Sequence, residues 1–126
     1  MATKADFESV FVKLKAILEP YASKLVVTGD GKTGYSLDTC HVIRNKKRVF
    51  FACVRIGKGY VSFHLMPIYC FPELFAAISP ELKKRMQGKS CFNFKTVDEK
   101  LFKELGKLTK AGLAKFQDKK FLASLR

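Results

Sequence analysis

The sequence predicts a two-layer α+β domain in which terminal helices cover one face of an antiparallel sheet. Three observations carry that prediction. Apolar residues recur at three- and four-residue spacing near both ends of the chain, the period of a helix lying on a core. Between the ends lie short stretches rich in β-branched and aromatic residues, several of them strictly alternating. The breaks between these stretches are brief glycine, asparagine and lysine turns, and strands joined by brief turns run antiparallel. At 126 residues, a single domain over 1–126 with one core is expected.

The elements follow in order. Thr3-Lys4-Ala5-Asp6 has a capping-box pattern, and Phe7, Val10, Phe11, Leu14, Ile17 and Leu18 then form one apolar stripe that Pro20 closes. Residues 25–28 read as a short strand and 29–34 as a turn. Tyr35-Ser36-Leu37 begins another strand, and His41-Val42-Ile43-Arg44 forms a third. Asn45-Lys46-Lys47 is a hydrated turn leading into residues 48–66, RVFFACVRIGKGYVSFHLM, a hairpin that ends near Pro67.

A two-residue loop at Gly57-Lys58 would set Ile56 against Gly59 and fix the hairpin register. Val54/Val61, Ala52/Phe63 and Phe50/Leu65 then make a wholly apolar face. Arg55/Tyr60, Cys53/Ser62, Phe51/His64 and Val49/Met66 make the other. One hairpin can thus carry both a core surface and a functional surface.

Residues 72–78 read as a short helix. Ser79 caps the next one, with Pro80 at its first position, Leu82 and Met86 facing inward and Gly88 stopping it in a left-handed conformation. Cys91-Phe92-Asn93-Phe94 is a strand. Thr96-Val97-Asp98-Glu99 forms a second capping box before the last helix. There Leu101, Phe102, Leu105, Leu108, Leu113 and Phe116 cluster on one side and Lys100, Lys103, Lys107 and Lys110 on the other. Gly112 falls within the apolar side, where it would admit a close neighbour. The tail at 121–126 is apolar enough to dock.

Composition narrows the function classes. The start, MATKADFESV, lacks an apolar signal region, and the longest uncharged run, 59–72, is too short to cross a bilayer. A soluble cytoplasmic protein with no membrane contact is expected. Cys40, Cys53, Cys70 and Cys91 contain no close pair of the kind a zinc site needs, so free thiols and no metal are expected. With 24 basic and 11 acidic residues, the formal charge is +13, which attracts polyanions. The excess is mostly lysine, however, whereas arginine is the usual residue for forked base and phosphate contacts. A solvated surface therefore explains the charge more simply than specific nucleic-acid recognition.

Gly29-Asp30-Gly31-Lys32-Thr33-Gly34 matches G-x-G-x-x-G, but no helical period follows, so a hairpin turn fits better than a phosphate cradle. The Lys100/103/107/110 stripe reads first as the wet side of a helix, and Arg44-Asn45-Lys46-Lys47-Arg48 as a charged turn. His64 stands mid-strand between Ser62 and Met66, where an imidazole can bind a ligand, move a proton or hold a metal. Cys53 would be its diagonal neighbour, roughly 7–8 Å away, a poor arrangement for a nucleophile pair. Cys40 and His41 point to opposite faces and build no compact site.

The chain from Val49-Phe50-Phe51 through the last helix resembles the YdhG-like family, a domain of unknown function. The matching text is Tyr60-Val61-Ser62-Phe63-His64-Leu65-Met66-Pro67, then Ser79-Pro80-Glu81-Leu82, then Gly88-Lys89-Ser90-Cys91-Phe92-Asn93-Phe94, and Asp98 with Leu101 and Leu105. The resemblance implies a small α/β sandwich with a curved antiparallel sheet. It implies no assigned enzyme activity, and for some members an intracellular iron-chaperone role of frataxin type. Iron delivery needs clustered carboxylates, because hard cations prefer oxygen ligands. Here Asp98, Glu99 and Glu104 alone come near to a cluster.

Together these readings point to a non-enzymatic, cofactor-free binding domain. Its ligand would be a small anionic or aromatic molecule on the outer face of the 48–66 hairpin. Phe51 would stack, His64 and Tyr60 would hydrogen-bond, Arg55 and Lys89 would offset charge, and Tyr35 and Tyr69 would complete an aromatic rim. Iron binding and nonspecific polyanion binding are the alternatives.

Overall fold

A computed structural model describes residues 4–42, 48–88 and 90–118. Helix α1 (Lys4–Leu18) passes into a 3-10 helix (Glu19–Lys24), so Pro20 tightens the chain instead of ending the segment outright. Strands β1 (Val26–Asp30), β2 (Gly34–Val42), β3 (Arg48–Ile56) and β4 (Val61–Leu65) follow. Three short helices come next: α2 (Met66–Cys70), α3 (Pro72–Ala76) and α4 (Pro80–Lys83). The chain ends with β5 (Met86–Gln87), β6 (Cys91–Phe94) and α5 (Glu99–Phe116). The strands form one antiparallel sheet in the order β1-β2-β3-β4-β6-β5, with helices on one side, as the sequence predicts.

Several local expectations change. The two predicted strands at 35–37 and 41–44 are one strand, β2, for as far as the described residues run. Helix α2 and the two-residue β5 have no counterpart in the sequence reading. Gly88 does take a left-handed φ of 79°, yet it stands between β5 and β6, not at the end of a helix. The N-cap of α5 is Asp98, whose carboxylate accepts from Leu101 N at 3.1 Å, so Thr96 does not start a capping box. Thr3, the charged turn at 44–47, Lys89 and the 121–126 tail lie outside the described residues.

The hairpin register differs by two residues from the expected one. Ile56 pairs with Val61, Val54 with Phe63 and Ala52 with Leu65, and Gly57 N donates to Tyr60 O at 2.8 Å across a four-residue loop. A slip of two leaves every side chain on its own face. Val54, Ala52, Val61, Phe63 and Leu65 are accordingly all buried.

The residues before Ala52 are the exception: Val49, expected on the outer face, packs against the core, and Phe50 and Phe51 exchange sides. The β2–β3 register shifts between Leu37, which faces Ala52, and Asp38, which faces Phe50, so Phe51 is an extra residue on β3. This bulge lets Phe51 and Ala52 point inward in succession. Phe51 is fully buried and meets Phe116 edge-on at 5.8 Å between ring centroids, whereas Phe50 turns to the opposite side of the sheet.

The core lies between the sheet and helices α1 and α5. Val10, Phe11, Leu14 and Leu18 enter it from α1, and Leu101, Phe102, Leu105, Leu108, Leu113 and Phe116 from α5. Phe51, Phe63, Phe92, Phe94 and Phe116 are its largest fully buried side chains, each worth about 1.5–3 kcal/mol of burial. Gly112 lets α5 press against α2, since a Cβ at that position would stand 2.8 Å from Pro67 Cβ. Glu104 of α5 fixes the start of α4: it accepts from Ser79 Oγ at 2.7 Å and from Ser79 N at 2.8 Å. The Ser79 hydroxyl in turn accepts from Leu82 N.

Candidate functional site

The face of the sheet turned away from the helices carries a strip of polar and aromatic side chains, built by register. His64 on β4 stands directly between Cys53 on β3 and Cys91 on β6. Cys53 is therefore its direct cross-strand neighbour, not the diagonal one expected from a two-residue loop. The bulge brings Phe50 beside the imidazole, with ring centroids 5.1 Å apart at 61°. Ser90, just before β6, is buried and hydrogen-bonds His64 Nε2 through Oγ at 2.5 Å.

One diagonal step away, Arg55 lies opposite Ser62. Ser62 Oγ donates to Asn93 Oδ1 at 2.9 Å, and Asn93 Nδ2 donates to Gln87 Oε1 at 2.7 Å. These two bonds make a polar rail that crosses β4, β6 and β5. The Arg55 stem lies beside Gly34, its cross-strand partner on β2.

Electrostatics sort these groups. Burial holds His64 below its ordinary 6.5, so its imidazole is neutral at pH 7 and acts as a hydrogen-bonding group, not a charge. Burial, reinforced by the neighbouring Cys91 sulfur, pushes the Cys53 thiol up to about 11, and Arg55 offsets only part of this. Burial also raises Cys91. All three of Cys53, Cys70 and Cys91 are free thiols. Cys53 and Cys91 sit two strand spacings apart, about 9.6 Å, beyond the reach of a disulfide.

Only part of the expected constellation comes together. His64 and Arg55 share the outer face. Phe51 does not: the bulge buries it in the core, and Phe50 takes its place against His64. Tyr35 pairs with Val54 on the helix side and is 4% exposed beneath the Lys15 ammonium, so it leaves the proposed rim. Tyr60 is 37% exposed in the hairpin loop, about 13 Å along the strand from His64. Tyr69 is 60% exposed on α2, a helix that packs on α5 and β3. The side chains of Cys40 and His41 lie outside the described set, as does Lys89.

Phe50, Ser62, Gln87, Ser90 and Asn93 are not among the site residues expected from the sequence. The alternation in Cys91-Phe92-Asn93-Phe94 does signal that Asn93 leaves the core, but its partners depend on β4 lying beside β6.

Among the described residues no helix lies over this strip. Two cavities, of about 630 and 420 Å³, lie elsewhere. One is between α1 and the β1–β2 turn, beside Lys15 and Asp30, and the other is at the start of α5, beside Arg85 and Lys100. Among the described residues no group of three or more His, Cys, Asp or Glu can hold a metal ion. No described helix is long and apolar enough to cross a membrane. No family model, curated protein or solved structure matches the chain.

Proposed function

We infer that this chain is a non-enzymatic, YdhG-like binding domain of the cytoplasm, and that it takes a small anion bearing a flat apolar group on the outer face of β3 and β4. The observation that supports this most is that Phe50, His64 and Arg55 share the face of β3 and β4 turned away from the described helices, with Phe50 against the imidazole. Arg55 would meet the anionic group, since its guanidinium makes no ion pair with a described residue. Phe50 would stack, and His64, held by Ser90, would offer Nδ1 in a fixed orientation.

The chemistry of the strip supports binding over catalysis. A thiol with a pKa of about 11 is ionised to about one part in ten thousand at pH 7, so Cys53 is a weak nucleophile. Free thiols suit a reducing compartment. Nothing among the described residues favours iron over this reading.

The test is a titration followed by amide and imidazole NMR, with benzoate, 4-hydroxyphenylacetate, adenosine monophosphate and inorganic phosphate as probes. Saturable shifts at His64, Phe50 and Arg55, lost in His64→Ala and Arg55→Gln, are expected. Spectra that stay unchanged across all four probes would overturn the proposal.

A further inference from the structure

The outward side of α5 carries Lys100, Lys103, Lys107 and Lys110, all of them exposed. At 100° per residue they fall within an arc of about 80°, diametrically opposite the buried stripe, and they span about 15 Å of helix axis. Two carboxylates on the same helix are placed by spacing to neutralise them, and both are engaged elsewhere. Glu99 pairs with Lys13 of α1 at 2.8 Å, and Glu104 is taken up by Ser79. No ion pair among the described residues engages any of the four lysines.

The positive surface continues past the helix start. Lys84 and Arg85, both exposed, line with Lys100 the cavity of about 420 Å³ there. Glu81 and Asp98 also line it, but the Asp98 carboxylate caps its own helix.

We propose that this track docks the phosphodiester backbone of a nucleic acid without reading its sequence. A nucleic-acid strand presents one phosphate per about 3.4 Å of duplex axis, so 15 Å of helix faces about four phosphates, close to one per lysine. Lysine supplies a point charge and not the fork that reads base edges, and the four positions include no arginine, asparagine or glutamine. An anionic membrane is the poorer match. The apolar side of α5 is consumed by the core, and the exposed residues beside the stripe, Ala111 and Ala114, have nothing large to insert. This site lies on the helix layer and is independent of the His64 strip.

The experiment measures anisotropy of a fluorescent mixed-sequence 20-mer, single- and double-stranded, against salt. The variant changes Lys100, Lys103, Lys107 and Lys110 to Gln. A control changes Lys24, Lys32, Lys58 and Lys95 to Gln, so both proteins fall from +13 to +9. The stripe variant is expected to weaken binding by about tenfold or more at low salt. It should also flatten the log K against log salt slope by about 3, four contacts at 0.7–0.9 each. The control should move the slope by less than about 1, and replacing the four lysines by Arg should keep it. Circular dichroism confirms that each variant is folded. Absence of binding at low salt, equal losses in both Gln variants, an unchanged slope, or binding only to vesicles containing phosphatidylserine would each overturn the proposal.

Discussion

The two faces of this sheet are made by the same strands, yet they obey different rules. On the helix side, Val54, Ala52, Val61, Phe63 and Leu65 interlock with α1 and α5, and the constraint is volume. On the other side, Cys53, Ser62, His64 and Asn93 are half-buried without any described helix above them, and the constraint is hydrogen bonding along the rail and to Ser90. A strand alternates between these regimes at every residue, so moving a side chain to the other face exchanges one rule for the other. The bulge at Phe51 does this to two adjacent phenylalanines.

That pair yields the largest expected contrast. Phe51→Ala removes a fully buried ring from the Phe116 contact and should cost about 3–5 kcal/mol in a urea or guanidinium unfolding titration. Phe50→Ala, on the open face, should cost only about 1 kcal/mol while abolishing the response of His64 to the NMR probes. Equal losses from the two substitutions would mean that the bulge does not divide them.

A second contrast lies on α5. Gly112→Ala would set a Cβ 2.8 Å from the Pro67 ring, which cannot swing aside, so it should destabilise by about 1–3 kcal/mol despite alanine's better helix propensity. Gly106→Ala meets nothing within 4 Å and should stabilise by about 0.5–1 kcal/mol. Thermal unfolding of the two proteins, with melting temperatures moving in opposite directions, checks both at once. Two shifts of the same sign would place the α5–α2 contact elsewhere.

These contrasts show which features were legible in the sequence. Inside and outside were readable across most of the hairpin, because period two survives an even slip. The four-residue Gly57–Tyr60 loop therefore left the faces unchanged although it moved every pair. The bulge was not readable: Phe50 and Phe51 are chemically identical, and which one turns inward depends on how Asp38 and Leu37 of β2 line up. Asp98 and Thr96 both carry capping oxygens, and the choice between them depends on where tertiary packing starts α5. At the candidate site, His64 and Arg55 could be placed from the hairpin alone. Ser90 and Asn93 could not, because they arrive through β6, which lies beside β4 after three intervening helices.

The smallest effect separates the faces by pH. Burial lowers His64 in the folded protein below the 6.5 it has when unfolded. Between those two values the unfolded chain holds more protons, so stability is highest above 6.5 and falls as pH drops through it, levelling off below the folded value. Among the described residues the groups facing the imidazole are Phe50, Ser90, Cys53 and Cys91, none of which changes charge in that window, and Arg55 nearby keeps its charge throughout. Comparing wild type with His64→Gln at about pH 7.5 and about pH 5 cancels the background from carboxylates. Wild type should lose more stability between the two pH values than the variant does, and parallel losses would mean the imidazole does not feel its burial. Anion affinity should move the other way. A protonated His64 adds charge beside Arg55, so a bound benzoate should raise the His64 titration point. The face that weakens on acidification is then the face that binds better, a coupling that the buried Val54, Val61, Phe63 and Leu65 of the other side, which carry no titrating group, have no means to produce.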